Sequence, residues 1–567
     1  MKQRNFLVIG AGSRGTAYAR AITNSTPARI GAVAEPNPYK RRTLGQNHIW
    51  GKRVPKTGEE FAGWEEWIEY ETKRRAGRSS KSKQDQDKDS HNEEEVEGVD
   101  GILICTLDET HITILTAIAS ANLLDLHVLC EKPLALSLDD CLRVYAAYNA
   151  GSPRSIFSIG HVLRYSPHNL LLRRLVRAER VIGDIVSVEH TEPVGYWHFA
   201  HSYVRGNWRR ETDGGDGSLL TKSCHDIDFL VWLIEAPVVS STSDGDSNGS
   251  SSAGRDGESE RTLKLRTISS TGYLTQFTPS QKPPAAGSAT NCTSCPIERE
   301  CVYSAIRIYR DNQLRKGETG WPVQIVCPDI EDYLPNHSHN GTQSLEAKDA
   351  TTTAAAESHL LSVLSQDYTE ATDDSSIKKR PWYGRCVYES DNDVVDDQVV
   401  SLSWDVVPSK STSSNTNNRK TNPKTKPPGV TALFHMIAPT QAQCVRRGRI
   451  YGTAGEITYD SSSISIFSFS TGETRTIHVP KQPPEEEESH GGGDYGLARG
   501  FVGAVDAVVN RGWSVEQAQR EFVGCSLEGA VKSHGVVFAA EESRRSEAVV
   551  RWEGWWDGKL RGVGLGV

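Results

Sequence analysis

A chain that carries NFLVIGAGSRG at residues 5–15 has little freedom in how that stretch folds. Gly10, Gly12 and Gly15 form a G-x-G-x-x-G, fed by the apolar run Phe6 to Ile9. From Arg14 to Asn24, Ala17, Ala21 and Ile22 fall on one helical face. A second apolar run, Ile30 to Ala34, ends at Glu35, twenty residues beyond Gly15. Strand, glycine loop, helix, strand and acid in this order are the dinucleotide-binding fingerprint in its required context. Gly10 permits the tight turn, Gly12 lets the backbone approach a pyrophosphate, and Gly15 lets the helix pack on the strand. Free N–H groups of the loop and helix start, Ser13 and Arg14 among them, then face phosphate. Glu35 stands where a carboxylate accepts hydrogen bonds from an adenosine ribose. That favours NAD, since a 2′-phosphate would be repelled. Lys40, Arg41 and Arg42 lie just beyond, so NADP stays open unless they only begin a solvated helix.

With 567 residues, two or more domains are expected. Only 37% are hydrophobic, so part of the chain must be polar filler. The runs Arg78 to Glu97, Ser240 to Glu260, Gly341 to Ser358, Ser409 to Pro428 and Lys481 to Glu488 read as flexible, disordered insertions on surface loops. The net charge of −9 has both signs spread along the chain, which argues against a nucleic-acid surface. The start lacks a signal-peptide layout, and no apolar run approaches the ~20 residues of a membrane span. A cytoplasmic enzyme is therefore expected, and the sequons at Asn291 and Asn340 are read as chance. Eleven cysteines then suit thiols or metal ligands better than disulfides. Cys292, Cys295 and Cys301 offer three soft ligands to Zn²⁺, with Cys327 or Cys386 as a fourth. A second C-x₂-C is missing, which leaves reduced thiols as the alternative. Cys105, Cys130 and Cys141 read as inert packing.

Strand-like Val99 to Cys105, helical Thr110 to Ala121 and strand-like His127 to Cys130 continue the alternation of a parallel sheet. The pattern predicts a Rossmann-type, doubly wound α/β domain over residues 1–150. An α+β domain over 151–567 follows, with a mostly antiparallel open sheet. Its strands are expected near Val186 to His190, Val399 to Trp404, Val430 to Met436, Arg449 to Thr453 and Ser463 to Phe469. Helical segments Leu497 to Asn510 and Val515 to Arg545 close the chain.

The fingerprint, HVLCEKPLA at 127–135 and LLTKSCHDIDFLVWL at 219–233 together resemble the Gfo/Idh/MocA family, the glucose–fructose oxidoreductases, inositol dehydrogenases and relatives. YVRGNWR at 203–209, CTSCPIERECVYSA at 292–305, YGRCVYESDNDVVD at 383–396 and HGGGDYG at 490–496 resemble one sub-group of it. The resemblance implies an NAD(P)-binding Rossmann domain and a C-terminal α/β domain whose open sheet makes a homo-oligomer interface. It also implies hydride transfer between a nicotinamide and a sugar, polyol or related hydroxyl. Two rivals stand beside that reading. One is a redox-neutral enzyme that oxidises a sugar transiently on bound NAD. The other is a nucleotide-sensing regulator without turnover.

Lys132 sits just past the carboxyl end of a sheet strand, where doubly wound folds place their ligands. An ammonium there can polarise a substrate oxygen near the nicotinamide. Glu131 holds that lysine or touches the cofactor, and Thr106 is counted with the cofactor residues. The resemblance suggests a cis Lys132–Pro133 bond. His225 is the second catalytic candidate, because an imidazole suits removal of a hydroxyl proton. In the family pattern D-x-x-x-H an acid precedes the histidine by four residues; here Thr221 takes that place. Asp228 is a substitute orienter, and Lys222 adds positive charge, unless Lys222 and Asp226 simply form a surface pair. Tyr196, Trp197, His198, His201, Arg205 and Trp208 suit either a sugar pocket or a plain strand and loop. The segment His490 to Asp494 is either a connector or a loop that reaches the substrate.

Overall fold

A computed structural model describes residues 2–81, 97–149, 153–212, 214, 216–235, 262–334, 350–407, 429–488 and 490–565. Six parallel strands, β1 (Asn5–Ile9), β2 (Arg29–Ala34), β3 (Glu60–Phe61), β4 (Gly101–Ile104), β5 (His127–Cys130) and β6 (Phe157–Ile159), run in the order 3-2-1-4-5-6. β1, β4 and β5 are buried at every position, which explains their uninterrupted apolar sequences. The sixth strand lies past residue 150, so this layer draws on chain beyond the boundary expected from the sequence.

The second layer is a nine-stranded sheet built on β7 (Ile185–Pro193), β8 (Thr262–Tyr273), β9 (Asp397–Val407) and β10 (Gly429–Ile437). It is completed by β11 (Arg447–Gly452), β12 (Gly455–Tyr459), β13 (Ser463–Ser468), β14 (Thr474–His478) and β15 (Val550–Arg551). Its order is 14-13-12-11-7-10-9-8-15, and only β7 and β10 run parallel. Alternate residues face inward, as the pleat requires: Val400, Leu402 and Trp404 on β9, and Val430, Ala432, Phe434 and Met436 on β10. They bury the helix Cys224–Ile234, whose residues are all buried, and behind it the helix Leu527–Ser546. The run Val515 to Arg545 is not one helix; it breaks at Gly524, in the left-handed region at φ +65.

Two segments depart from the loop reading. Ala350–Leu364 is a helix, and its Ala356, Leu360 and Leu364 help close a small separate core inside the β8–β9 connection. Pro484–Glu487 is a short helix tied by Glu486 to Arg499. The other expected insertions, 240–260, 409–428 and most of 78–97, lie outside the described residues. The helix Gly493–Arg511 returns from the second layer to pack on the first helix, Ser13–Ser25, with Phe501 against Phe6 at 5.5 Å between ring centroids. That return brings the His490 segment to the nucleotide loop.

Candidate active site

The carboxyl ends of the parallel strands meet in one cleft. At the end of β2, Glu35 accepts the N–H of Ala11 at 2.8 Å on one oxygen and that of Asn37 at 2.9 Å on the other. Arg41 is committed elsewhere, to Glu60 at 2.9 Å and to the Glu35 carbonyl. Arg42 stacks over Tyr39. The helix Ser13–Ser25 has no side-chain cap at its N-terminus, and a Cβ on Gly12 would meet nothing within 4 Å. An open glycine face, an uncapped helix start and a carboxylate at the next strand end fit a dinucleotide. Thr106 follows β4, its hydroxyl accepting that of Thr110 at 2.7 Å.

After β5, the buried Glu131 accepts Arg14 Nε at 2.8 Å and the Lys132 N–H at 3.0 Å. Burial works against its charge, but Arg14 prevails and holds the carboxyl below its ordinary range. The Lys132–Pro133 bond is cis. Lys132 Nζ donates to the Thr221 carbonyl at 2.6 Å, which draws the ammonium to the helix pair carrying His225. His225 is buried with no partner for Nδ1 among the described residues. Burial first, then Lys132, His161 and Arg446, push its pKa well below the ordinary value, so it rests neutral. The remaining guanidinium nitrogens of Arg14 bind Asp494 at 2.7 and 2.9 Å, and His490 Nδ1 lies 3.2 Å from both Asp494 oxygens. The His490 ring stands 6.4 Å from that of His225. Nucleotide loop, E-K-P turn and the His490–Asp494 segment are thus one connected network.

Residues 4–154 match the family model described as oxidoreductase family, NAD-binding Rossmann fold, and residues 176–264 match that family's C-terminal alpha/beta domain. Residues 4–154 and 176–264 thus carry the two domains of the Gfo/Idh/MocA oxidoreductase family. Inositol 2-dehydrogenase 1 of Saccharopolyspora erythraea is 29% identical over 142 residues, 25% of this chain and 37% of that protein. The rhizopine catabolism protein MocA of Rhizobium meliloti is 28% identical over 226 residues, 40% of this chain and 56% of that one. The matches thus span well under two thirds of these relatives' own length. A levoglucosan dehydrogenase solved with NADH and levoglucosan shares the fold at a TM-score of 0.51 and 14% identity, covering 97% of this chain and 99% of that one.

Against the family pattern, the Thr221 position needs correction in geometry as well as in residue type. Thr221 ends the short helix Ser218–Thr221, and His225 lies on the next helix, so they do not share one continuous turn. The Thr221 hydroxyl donates to the Gly217 carbonyl at 3.1 Å. Asp228 does not orient His225 either. It takes a bidentate pair from Arg164 at 2.6 and 2.7 Å and the Ser533 hydroxyl at 2.7 Å. Lys222 and Asp226 are no surface pair. Lys222 is half-buried between Cys444 Sγ and Glu192 Oε1, each at 3.2 Å, and Asp226 binds His190 and Arg446. Burial opposes the charge of Lys222, yet Cys444 and Glu192 together raise its pKa.

The aromatic stretch splits. Arg205 is buried and donates to the carbonyls of Arg385 and Tyr303, which makes it a fastener for the β8–β9 connection. His201 is likewise buried, against the Tyr309 hydroxyl at 2.9 Å. Trp208 Nε1 donates to Asp108, just after Thr106, at 2.8 Å. Trp197 and His198 pack on Trp321 from the connection, and His198 Nδ1 lies 3.4 Å from Cys444 Sγ. The zinc reading finds no support in the structure. Among the described residues no group of three or more His, Cys, Asp or Glu side chains could hold a metal ion, and all eleven cysteines are free. Cys292 instead accepts Arg205 at 3.3 Å and the Ala305 N–H at 3.4 Å.

The sequence reading missed His161, which follows β6 at the same end of the sheet as Lys132. It is 1% exposed, has no hydrogen-bond partner for either ring nitrogen among the described residues, and faces His225 and His534. Its place after a strand end was the available signal.

Burial holds His127 down to about 4 and His161 and His201 down to about 3. Because these folded values lie below the unfolded ~6.5, the stability they contribute is complete above that pH and is lost as pH falls through the window down to the folded values. Each should cost about 1.4 kcal/mol per pH unit in that window. Thermal melting from neutral pH to pH ~5 should show a steadily falling midpoint. A flat midpoint would mean these rings are not neutral in the fold.

Proposed function

We propose that the protein is an NAD-linked oxidoreductase acting on a hydroxyl of a sugar, polyol or related compound. The observation that carries this is Lys132. Its ammonium is drawn to the Thr221 carbonyl, beside the neutral His225, at the strand end that adjoins the nucleotide loop. The backbone of Gly12, Ser13 and Arg14 would hold the pyrophosphate and Glu35 the adenosine ribose; bound, the nicotinamide supplies the hydride acceptor. The matches to the two family domains and the similarity to an inositol 2-dehydrogenase support the reading. Lys132 polarises the substrate oxygen, and His225 hydrogen-bonds it and fixes its orientation. Arg41 is already bound to Glu60 and the Glu35 carboxylate stands at the ribose position, so NAD is the expected form.

The test is a panel of inositols, aldoses and anhydrosugars with NAD⁺ and with NADP⁺, following reduced-nicotinamide absorbance and product by mass spectrometry. Reduction of NAD⁺ with at least one compound is expected. Product without net reduction would mean transient oxidation. No product with any compound would overturn the reading.

A further inference from the structure

We propose that His490 takes up the proton released when the substrate hydroxyl is oxidised, with Asp494 as its positioning residue. The inference rests on the oxidoreductase reading above. Oxidation breaks two bonds at the reacting centre. The C–H bond leaves with its electron pair as hydride to the oxidised nicotinamide, the O–H bond leaves its electrons to form the carbonyl, and one proton must find a base. His225 is badly placed to keep it. An imidazolium there would lie near Lys132 and Arg446, and neither neighbouring candidate on its own stretch of chain stabilises it. Thr221 bonds its own helix, and Asp228 is taken by Arg164 and Ser533.

His490 has what His225 lacks. A carboxylate only accepts, so the Nδ1 within 3.2 Å of both Asp494 oxygens carries the hydrogen, and Nε2 keeps its lone pair. The ring lies 6.4 Å from that of His225. Two carboxylates, Glu131 and Asp494, share the guanidinium of Arg14, and the second of them lies against the His490 ring. Asp494 is buried while the His490 side chain is 44% exposed, so the proton can pass on to solvent. The backbone of His490 is held at φ +54, in the left-handed region that side chains other than glycine occupy at a cost, as expected of a residue placed for its chemistry.

The test is His490→Gly in the full chain, a change the backbone angle favours. It is assayed with a substrate and NAD⁺ from the panel, with and without added imidazole, and NADH affinity is measured alongside. Turnover should fall by ~10²–10⁴, the range for a lost general base, and imidazole should restore it in a dose-dependent way. NADH affinity should match wild type, because Asp494 keeps its hold on Arg14. Undiminished turnover, or a loss that imidazole does not repair, overturns the inference and leaves the oxidoreductase reading standing. Loss of NADH binding also overturns it, assigning the segment to the nucleotide loop alone. A wild type inert across the panel overturns the parent reading and the inference with it.

Discussion

Gly12→Val should abolish NADH binding and leave the protein folded. The three glycines of the fingerprint have different neighbours, and only one of them offers this separation. A Cβ on Gly10 would lie 2.6 Å from the Cys105 carbonyl oxygen, and Gly10 also has φ +93. A Cβ on Gly15 would lie 2.0 Å from the Gly10 carbonyl oxygen. Substituting Gly10 pushes the loop off the chain that follows β4, and substituting Gly15 breaks the packing of the first helix on β1, so lost binding in either would say nothing about contact with a nucleotide. Gly12 differs. Its Cβ would enter open space, and its φ of −76 lies outside the left-handed region that favours glycine. The fold therefore loses at most about 1 kcal/mol of capping preference. The side chain would occupy the approach to the uncapped helix start, where a pyrophosphate must come within hydrogen-bond reach of the backbone. Calorimetry with NADH should show no binding, while circular dichroism and the melting midpoint stay near wild type. Wild-type affinity in Gly12→Val would move the nucleotide away from this loop.

The parallel layer was legible because local sequence decides it. β1, β4 and β5 are buried on both faces, so their residues form unbroken apolar runs, and the glycines mark the turn between strand and helix. The β8–β9 connection was not legible. Its small core is assembled from Cys292, Tyr309, Leu314 and Val323 on short pieces with no sustained period. Even so, Ala356, Leu360 and Leu364 recur every four residues, a helical signal hidden in a Thr- and Ala-rich run.

At the site, strand-end positions were readable and long-range pairing was not. Asp228 is one turn from His225, but Arg164, sixty-four residues earlier, claims it. Arg205 sits among aromatics as a pocket residue would, yet carbonyls of the connection take its guanidinium. Spacing finds neighbours on one element. It cannot find which distant charge a buried carboxylate or guanidinium will meet, and burial makes that meeting obligatory.

Lys132→Met should separate chemistry from cofactor binding. Methionine roughly keeps the length and volume of the side chain and removes the ammonium. The Thr221 carbonyl loses its 2.6 Å charged donor, a cost of about 1.5–3 kcal/mol. Glu131 keeps Arg14 and the backbone N–H of residue 132, so the turn after β5 stays in place. Nothing that would grip the pyrophosphate or the adenosine ribose is touched, and NADH affinity should change little. Turnover should collapse by ~10²–10⁴, because the developing charge on the substrate oxygen then meets only neutral His225. Lys132→Met and His490→Gly should also differ in rescue. A small amine should partly restore the first and imidazole the second, since one variant lacks an ammonium beside the oxygen and the other a base beyond it. If Lys132→Met turns substrate over at the wild-type rate while binding NADH normally, the ammonium is a fastener for Thr221 and the oxygen is activated elsewhere.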